Sequence, residues 1–254
     1  MSDIYQAPQA QLAEGEESGD FGSIEKGIAG DYSFAIGEIL SEAWERTSGN
    51  KGTVLIGALL YVVGSIGISI VAGLLTGAGG AAVLGMGSTD QASQSMFFGA
   101  LIYQLIVIIA GAPLAVGMAM IGIKIARGEQ TSGAEVFSYF DKIVPLGIGT
   151  IIMYLMIMLG SLLLVIPGIY LAIAYLLAMP LIADRNLGPW QALETSRKAI
   201  SKNWFAFFGL IIVLLLTYMA GSLALLIGLI WAIPLCSIAY GVAYRKIFGS
   251  PHKV

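Results

Sequence analysis

The chain reads as an all-α, polytopic membrane helix bundle. Six transmembrane helices are expected, with three amphipathic cytoplasmic helices and an order that suggests a threefold hairpin repeat. Three observations predict this. Of 254 residues, 57% are hydrophobic and only 11% are charged, against roughly 25% charged in a soluble domain. The deficit is segmental: residues 143–183 and 204–244 are two runs of 41 without a charge, and 52–123 is broken only by Asp90. A spanning helix needs about 20 apolar residues, so each region is two spans and a turn. Finally, the uncharged stretches divide the basic residues onto one side. Lys26, Arg46 and Lys51 precede the first span; Lys124, Arg127 and Lys142 follow the second. Arg185, Arg197, Lys198 and Lys202 follow the fourth, and Arg245, Lys246 and Lys253 follow the sixth. Short loops rich in Lys and Arg stay in the cytoplasm, so both termini are expected there, in a bacterial inner membrane.

Residues 1–31 carry seven acids and one Lys. They are polar and lack periodicity, which predicts a disordered acidic cytoplasmic tail. The opening has no basic-then-apolar signal-peptide pattern. The membrane domain is expected over 32–248, and 249–254 form a short C-terminal tail.

From Ser33 to Arg46, Ile36, Ile39, Leu40, Ala43 and Trp44 recur at helical spacing with Glu38, Glu42 and Glu45 between them. This amphipathic helix suits the membrane interface, with Trp44 as anchor; packing on the protein itself is the other reading. The first span runs from near Thr53 to Thr76. Its Ser65, Ser69 and Gly73 repeat every four residues, a small-residue face that lets helices approach. A Gly-rich, flexible connection is expected over Gly77–Ser95. The second span, from near Met96 to Ala126, holds Gln104, whose amide should seek a partner on another helix or line a pore or ligand site. It also holds Pro113, which removes a backbone donor and predicts a kink.

Ser132 and Glu135 are spaced as a capping box that would open a second amphipathic helix with Val136, Phe137 and Phe140 on one side. The third span runs from near Ile143 to Ile166. Pro167-Gly168 is a turn signal, and the fourth span, from near Ile169 to Ala183, is short. Gly188-Pro189 starts a third amphipathic helix with proline at its first position. Trp190, Leu193 and Ile200 lie on one side, and Arg197, Lys198 and Lys202 on the other. The last two spans run from near Trp204 to Leu225 and from Gly228 to Tyr244. Three units result, each an amphipathic helix and a hairpin, with similar exits: Ile-Ala-Arg127, Ile-Ala-Asp-Arg185 and Tyr-Arg-Lys246.

No Asp, Glu, Arg or His lies within the spans as drawn, and Lys124 only in the last turn of the second, which argues against a proton relay or an ion-coupled pump. His252 is the only histidine and Cys236 the only cysteine, so no catalytic triad, metal set or intramolecular disulfide is expected, and no cofactor. No compact basic surface suggests nucleic acid. Arg197, Lys198 and Lys202, flanked by Trp190 and Trp204, form the best binding cluster. Anionic lipid headgroups would be drawn there at about 1 kcal/mol per residue, though enforcing topology is a second role for the same residues.

Several motifs resemble one bacterial membrane-protein family. Ala-Trp44-Glu-Arg and Asn50-Lys51-Gly52 stand before the first span. Ile166-Pro-Gly-Ile-Tyr170, Met179-Pro180, Ala183-Asp184, Ala192-Leu193 and Ser196 stand at the centre, and Trp231, Pro234 and Tyr244 near the end. Over about 33–248 the chain is similar to the membrane domain of membrane-anchored glycerophosphoryl diester phosphodiesterases and to six-span bacterial proteins. The resemblance implies a six-helix membrane module. The soluble domain with its His and acidic metal ligands has no counterpart in the short flanks, so activity is not expected to carry over. The expected role is non-catalytic: an interaction or lipid-organising module that contacts anionic lipids and pairs with itself or a membrane partner. Transport of a lipid, peptide or small apolar solute is the alternative.

Overall fold

A computed structural model describes residues 22–77, 90–223 and 227–250. These residues form a helical bundle with no strand among them. The helices are α1 (Ile24–Ala29), α2 (Ile36–Thr47), α3 (Lys51–Thr76), α4 (Asp90–Ala126), α5 (Ile143–Leu163), α6 (Val165–Ala174), α7 (Ala178–Arg185), α8 (Pro189–Lys202), α9 (Trp204–Leu223) and α10 (Leu229–Phe248). Most of residues 1–31, the 78–89 part of the Gly-rich connection and the tail residues His252 and Lys253 fall outside the described residues.

Among the described residues, five stretches are long and apolar enough to cross a membrane: Lys51–Thr76, Phe97–Ala126, Gly133–Leu163, Val165–Arg185 and Trp204–Leu223. The expected sixth span is helical as α10, but it is not of this kind. It ends in Arg245 and Lys246, and it packs against α2, α3, α4 and α9. Ile238, Val242, Tyr244 and Phe248 are fully buried. A helix sheathed by others need not be apolar throughout, because protein rather than lipid surrounds it. At its crossing with α4 the backbones touch. A Cβ on Gly122 would lie 2.1 Å from the Ser237 carbonyl oxygen, and one on Gly241 would lie 2.2 Å from that of Gly122.

Other expectations give way to tertiary contacts. A packed helix already stands before residue 32: Ser23 caps α1 through the Lys26 amide (3.2 Å), and α1 packs on α8 and α10. The second amphipathic helix is instead a pair of 3-10 turns, Gly133–Phe137 and Phe140–Lys142. No capping box forms there, since the Ser132 side chain makes no cap bond. Glu135 turns away to accept from Lys124 Nζ (2.6 Å) and the Tyr139 hydroxyl (3.0 Å). An ion pair with a charged partner outweighs a neutral cap.

The α5–α6 hairpin reverses at Leu164, which is extended (φ −162°, ψ 147°), and not at Pro167-Gly168. Pro167 is the third residue of α6, where its missing N–H leaves no helical bond unmade. Gly168 lies against α5, and a Cβ there would meet the Ser161 hydroxyl at 2.0 Å. The fourth stretch is therefore longer than expected, 21 residues, but it breaks at Tyr175–Leu177 into α6 and α7. Ser196 of α8 fills the break: its hydroxyl donates to the Ala174 carbonyl (2.8 Å) and accepts from the Leu177 amide (3.2 Å). One buried serine thus satisfies both sides of an interrupted helix. By contrast, α4 continues through its buried Pro113.

Candidate functional site

Two constellations stand out. One is a charge cluster where α4, α7 and α10 end together. Arg127 donates to both carboxylate oxygens of Asp184 (2.8 and 2.7 Å) and to the Gly249 carbonyl (2.8 Å). The side chains are 2% and 5% exposed. Tyr244 donates to the same carboxylate (2.9 Å), Arg185 donates to it as well (3.1 Å), and Arg185 also bonds the Phe248 carbonyl. Arg245 bonds the Ala126 carbonyl and Glu42. Arg46 bonds Glu42 (2.7 Å) and the Ile125 carbonyl (3.2 Å). Each helix end leaves carbonyls without intrahelical partners, and here arginines from other segments take them. Burial alone would push the Arg127 guanidinium down, but its bonds to Asp184 hold it above its usual range. The cluster spends most of its groups on itself, and the buried Arg127 Nε is left without a partner.

The second constellation is a cavity of about 430 Å³ between α3, α4, α5, the start of α7 and α10. Its floor on α4 is Gly111, Ala115 and Ala119, small residues every fourth position that leave space where larger side chains would fill it. Tyr61, Ser65 and Ser69 of α3 face them. Thr150, Met153 and Tyr154 of α5, Met179 of α7 and Tyr240 of α10 complete the wall, with Gln104 toward one end. None of the lining residues is charged. Three of its hydroxyls spend their protons on backbone: Ser69 on Ser65 (2.8 Å), Thr150 on Leu146 (2.8 Å) and Tyr240 on Leu176 (2.8 Å). Such volume and polarity fall within the range of small-molecule sites.

The structure distributes the sequence-predicted residues between several places. Ser65, Ser69 and Gln104 meet at the cavity. Gly73 is half-buried on the same helix, while the tight contact of α3 with α4 is made at Gly57, where a Cβ would lie 2.6 Å from Ile121 Cδ1. Pro113 is buried in α4, and Pro167 and Gly168 belong to the α5–α6 hairpin. Arg197 forms a two-point contact with Glu194 (2.8 and 2.7 Å), and Lys198 lies 3.5 Å from the same carboxylate. The Arg197 hydrogen bond holds Glu194 below its usual range. Lys202 lays its stem near Gly30, where a Cβ would be 2.8 Å from Lys202 Cγ. Trp44 and Trp190 are more than half exposed; Trp190 is thus off the buried face that carries Leu193 and Ile200. Trp204 stacks on Phe208 (5.3 Å) and donates to the Tyr170 carbonyl (3.3 Å).

Sequence reasoning missed Asp184 and Tyr244 as partners of Arg127. No local spacing signals a pair 57 residues apart. The Gly111–Ala115–Ala119 stripe was legible as a small-residue face. Among the described residues no group of three His, Cys, Asp or Glu side chains is arranged to hold a metal.

No family model matches the chain, and no solved structure does. Curated proteins from Mycobacterium bovis and from two strains of Mycobacterium tuberculosis are similar to it. Each is 24% identical over 237 residues, covering 85% of this chain and 69% of the relative, and each is described only as an uncharacterized protein. The helical fold and the five apolar stretches among the described residues mark this as a membrane-embedded protein.

Proposed function

We propose that the chain is a non-catalytic, multi-pass protein of a bacterial inner membrane that organises lipid by holding part of a lipid molecule in the cavity between α3, α4, α5 and α7. The cavity is the observation that carries this reading. Membrane helices ordinarily close on one another through packing, whereas here a stripe of Gly111, Ala115 and Ala119 keeps a chamber open among helices long enough to cross a bilayer.

The basic cluster of α8 plays a smaller part in this reading. Arg197 and Lys198 share Glu194, so their attraction for an anionic headgroup is partly spent within the helix. Replacing Arg197, Lys198 and Lys202 by Gln is expected to weaken binding to anionic liposomes by no more than a few-fold.

The test is native mass spectrometry of the protein released from lipid nanodiscs. The native chain should retain about one lipid per copy, and Ala119→Phe, which fills the chamber, should lose it. Equal retention by both proteins would overturn the proposal. A transport reading is favoured by one further observation, the polar groups at separate places in the chamber, Gln104 and Thr150. It requires that cysteines placed at both positions react with water-soluble reagents from opposite sides of the membrane; labelling from one side only, or from neither, rejects it.

A further inference from the structure

Resting on the reading of the cavity as a lipid site, we infer that its occupant is an uncharged amphiphile with a hydrogen-bonding head, and that Gln104 recognises that head. Three features of the chamber lead there. Its lining contains no charged residue, so a phosphate or ammonium group would enter without a counter-ion. Its hydroxyls at Ser69, Thr150 and Tyr240 are donors to backbone carbonyls, so these three offer accepting oxygens only, while Tyr61, Ser65 and Tyr154 keep neutral O–H donors toward the space. Gln104 is the amide of the lining. Its side chain is exposed on the protein surface and borders the chamber, and an amide carries both a donor and an acceptor. A ligand that pairs with both groups of this amide gains two hydrogen bonds at the rim of the chamber.

The placement of these groups gives the occupant a direction. Gln104 lies 20 residues before Lys124 on α4, about 30 Å at the helical rise, which is the thickness of the hydrocarbon core. Ser69 lies 18 residues after Lys51 on α3, about 27 Å. The free polar end of the chamber is therefore near the membrane boundary opposite the basic residues. Thr150 is only eight residues from Lys142, about 12 Å. Between these levels the wall is apolar and adaptable, with Met153 and Met179, whose unbranched chains accommodate irregular shapes. A head at Gln104 and Ser65 with an apolar body running inward over Ala115 and Ala119 fits this gradient.

The experiment places the full chain in phosphatidylcholine nanodiscs containing equal small amounts of dioleoylglycerol and dioleoyl phosphatidylglycerol. The two share their chains, but only the first is uncharged. Native mass spectrometry then reads which is retained on release. The native protein should hold dioleoylglycerol about tenfold over the anionic lipid, and Gln104→Leu should lose about that factor, as one hydrogen-bonded amide predicts. If Gln104→Leu does not assemble, Ser65→Ala at the same end carries the comparison; Thr150→Val, at the other end, should keep the preference. Equal or greater retention of phosphatidylglycerol, or a preference untouched by Gln104→Leu, overturns the assignment of the ligand. Should any other lipid be retained and then lost in Ala119→Phe, the chamber remains a lipid site and only the ligand class falls. Should Ala119→Phe strip nothing, both fall.

Discussion

Arg127 and Asp184 show how one buried pair can hold three chain segments. The guanidinium meets the carboxylate at two points and reaches the Gly249 carbonyl, while Tyr244 and Arg185 use the remaining carboxylate capacity. A buried pair of this kind need not stabilise more than an apolar one would, but removing one partner leaves an uncompensated charge. Asp184→Asn keeps the shape and removes the charge, so it should destabilise the protein by about 3–5 kcal/mol. Arg127→Met combined with Asp184→Leu should cost clearly less than the sum of the single changes, because the residues couple directly. Unfolding of the detergent-solubilised protein by heat or by a denaturing detergent measures all three. Strict additivity would show that the pair is incidental to the assembly. The charges of this cluster were legible as exits from the membrane; their pairing was not, because it joins residues brought together only by the packed helices.

At the level of elements, the spans were readable from charge-free length, and α3 and α9 follow their expected boundaries closely, whereas α4 starts at Asp90, within the connection expected over Gly77–Ser95. The other departures share a cause: a contact from elsewhere overrides a local signal. Glu135 leaves a cap for Lys124, Pro167-Gly168 becomes the opening of α6 instead of a turn, and Ser196 makes the break between α6 and α7 tolerable. The chamber was half legible. Gln104 and the Ser65–Ser69 face marked its rim, but which small-residue stripe borders space and which borders another helix depends on packing. Gly122 and Gly241 sit where α4 and α10 touch backbone to backbone, so Gly122→Leu should prevent α10 from docking and abolish the folded, monodisperse protein. Gly67 on α3 has nothing within 4 Å of an added Cβ, and Gly67→Ala should change stability by no more than about 1 kcal/mol. Comparing the two by size-exclusion profile and thermal unfolding tests the crossing itself. Equal tolerance at both positions would mean that α4 and α10 are not in contact.

Across the whole molecule, charge and packing point to the same polarity. The ends of α4, α7 and α10 and the face of α2 bring Arg46, Arg127, Arg185 and Arg245 to one end of the bundle, where Lys246 also reaches Glu38 (2.9 Å) and Lys142 reaches Asn186 (2.6 Å). Segments that are distant in sequence exchange these bonds, so the connections that carry them lie on one side of a bilayer. We propose that this end faces the cytoplasm, on the rule that short loops rich in Lys and Arg stay there. In a Cys236→Ser background, single cysteines at Ser48, Glu129 and Ser250 should therefore resist a membrane-impermeant maleimide applied to intact spheroplasts and react once the membrane is opened. A cysteine at Ser88, in the connection between α3 and α4, should react before opening. The reverse pattern would invert the topology while leaving the bundle intact. Reaction at Glu129 but not at Ser48 would be more damaging, because Arg46 and Arg127 bracket those positions and must share one side for the helix ends to meet.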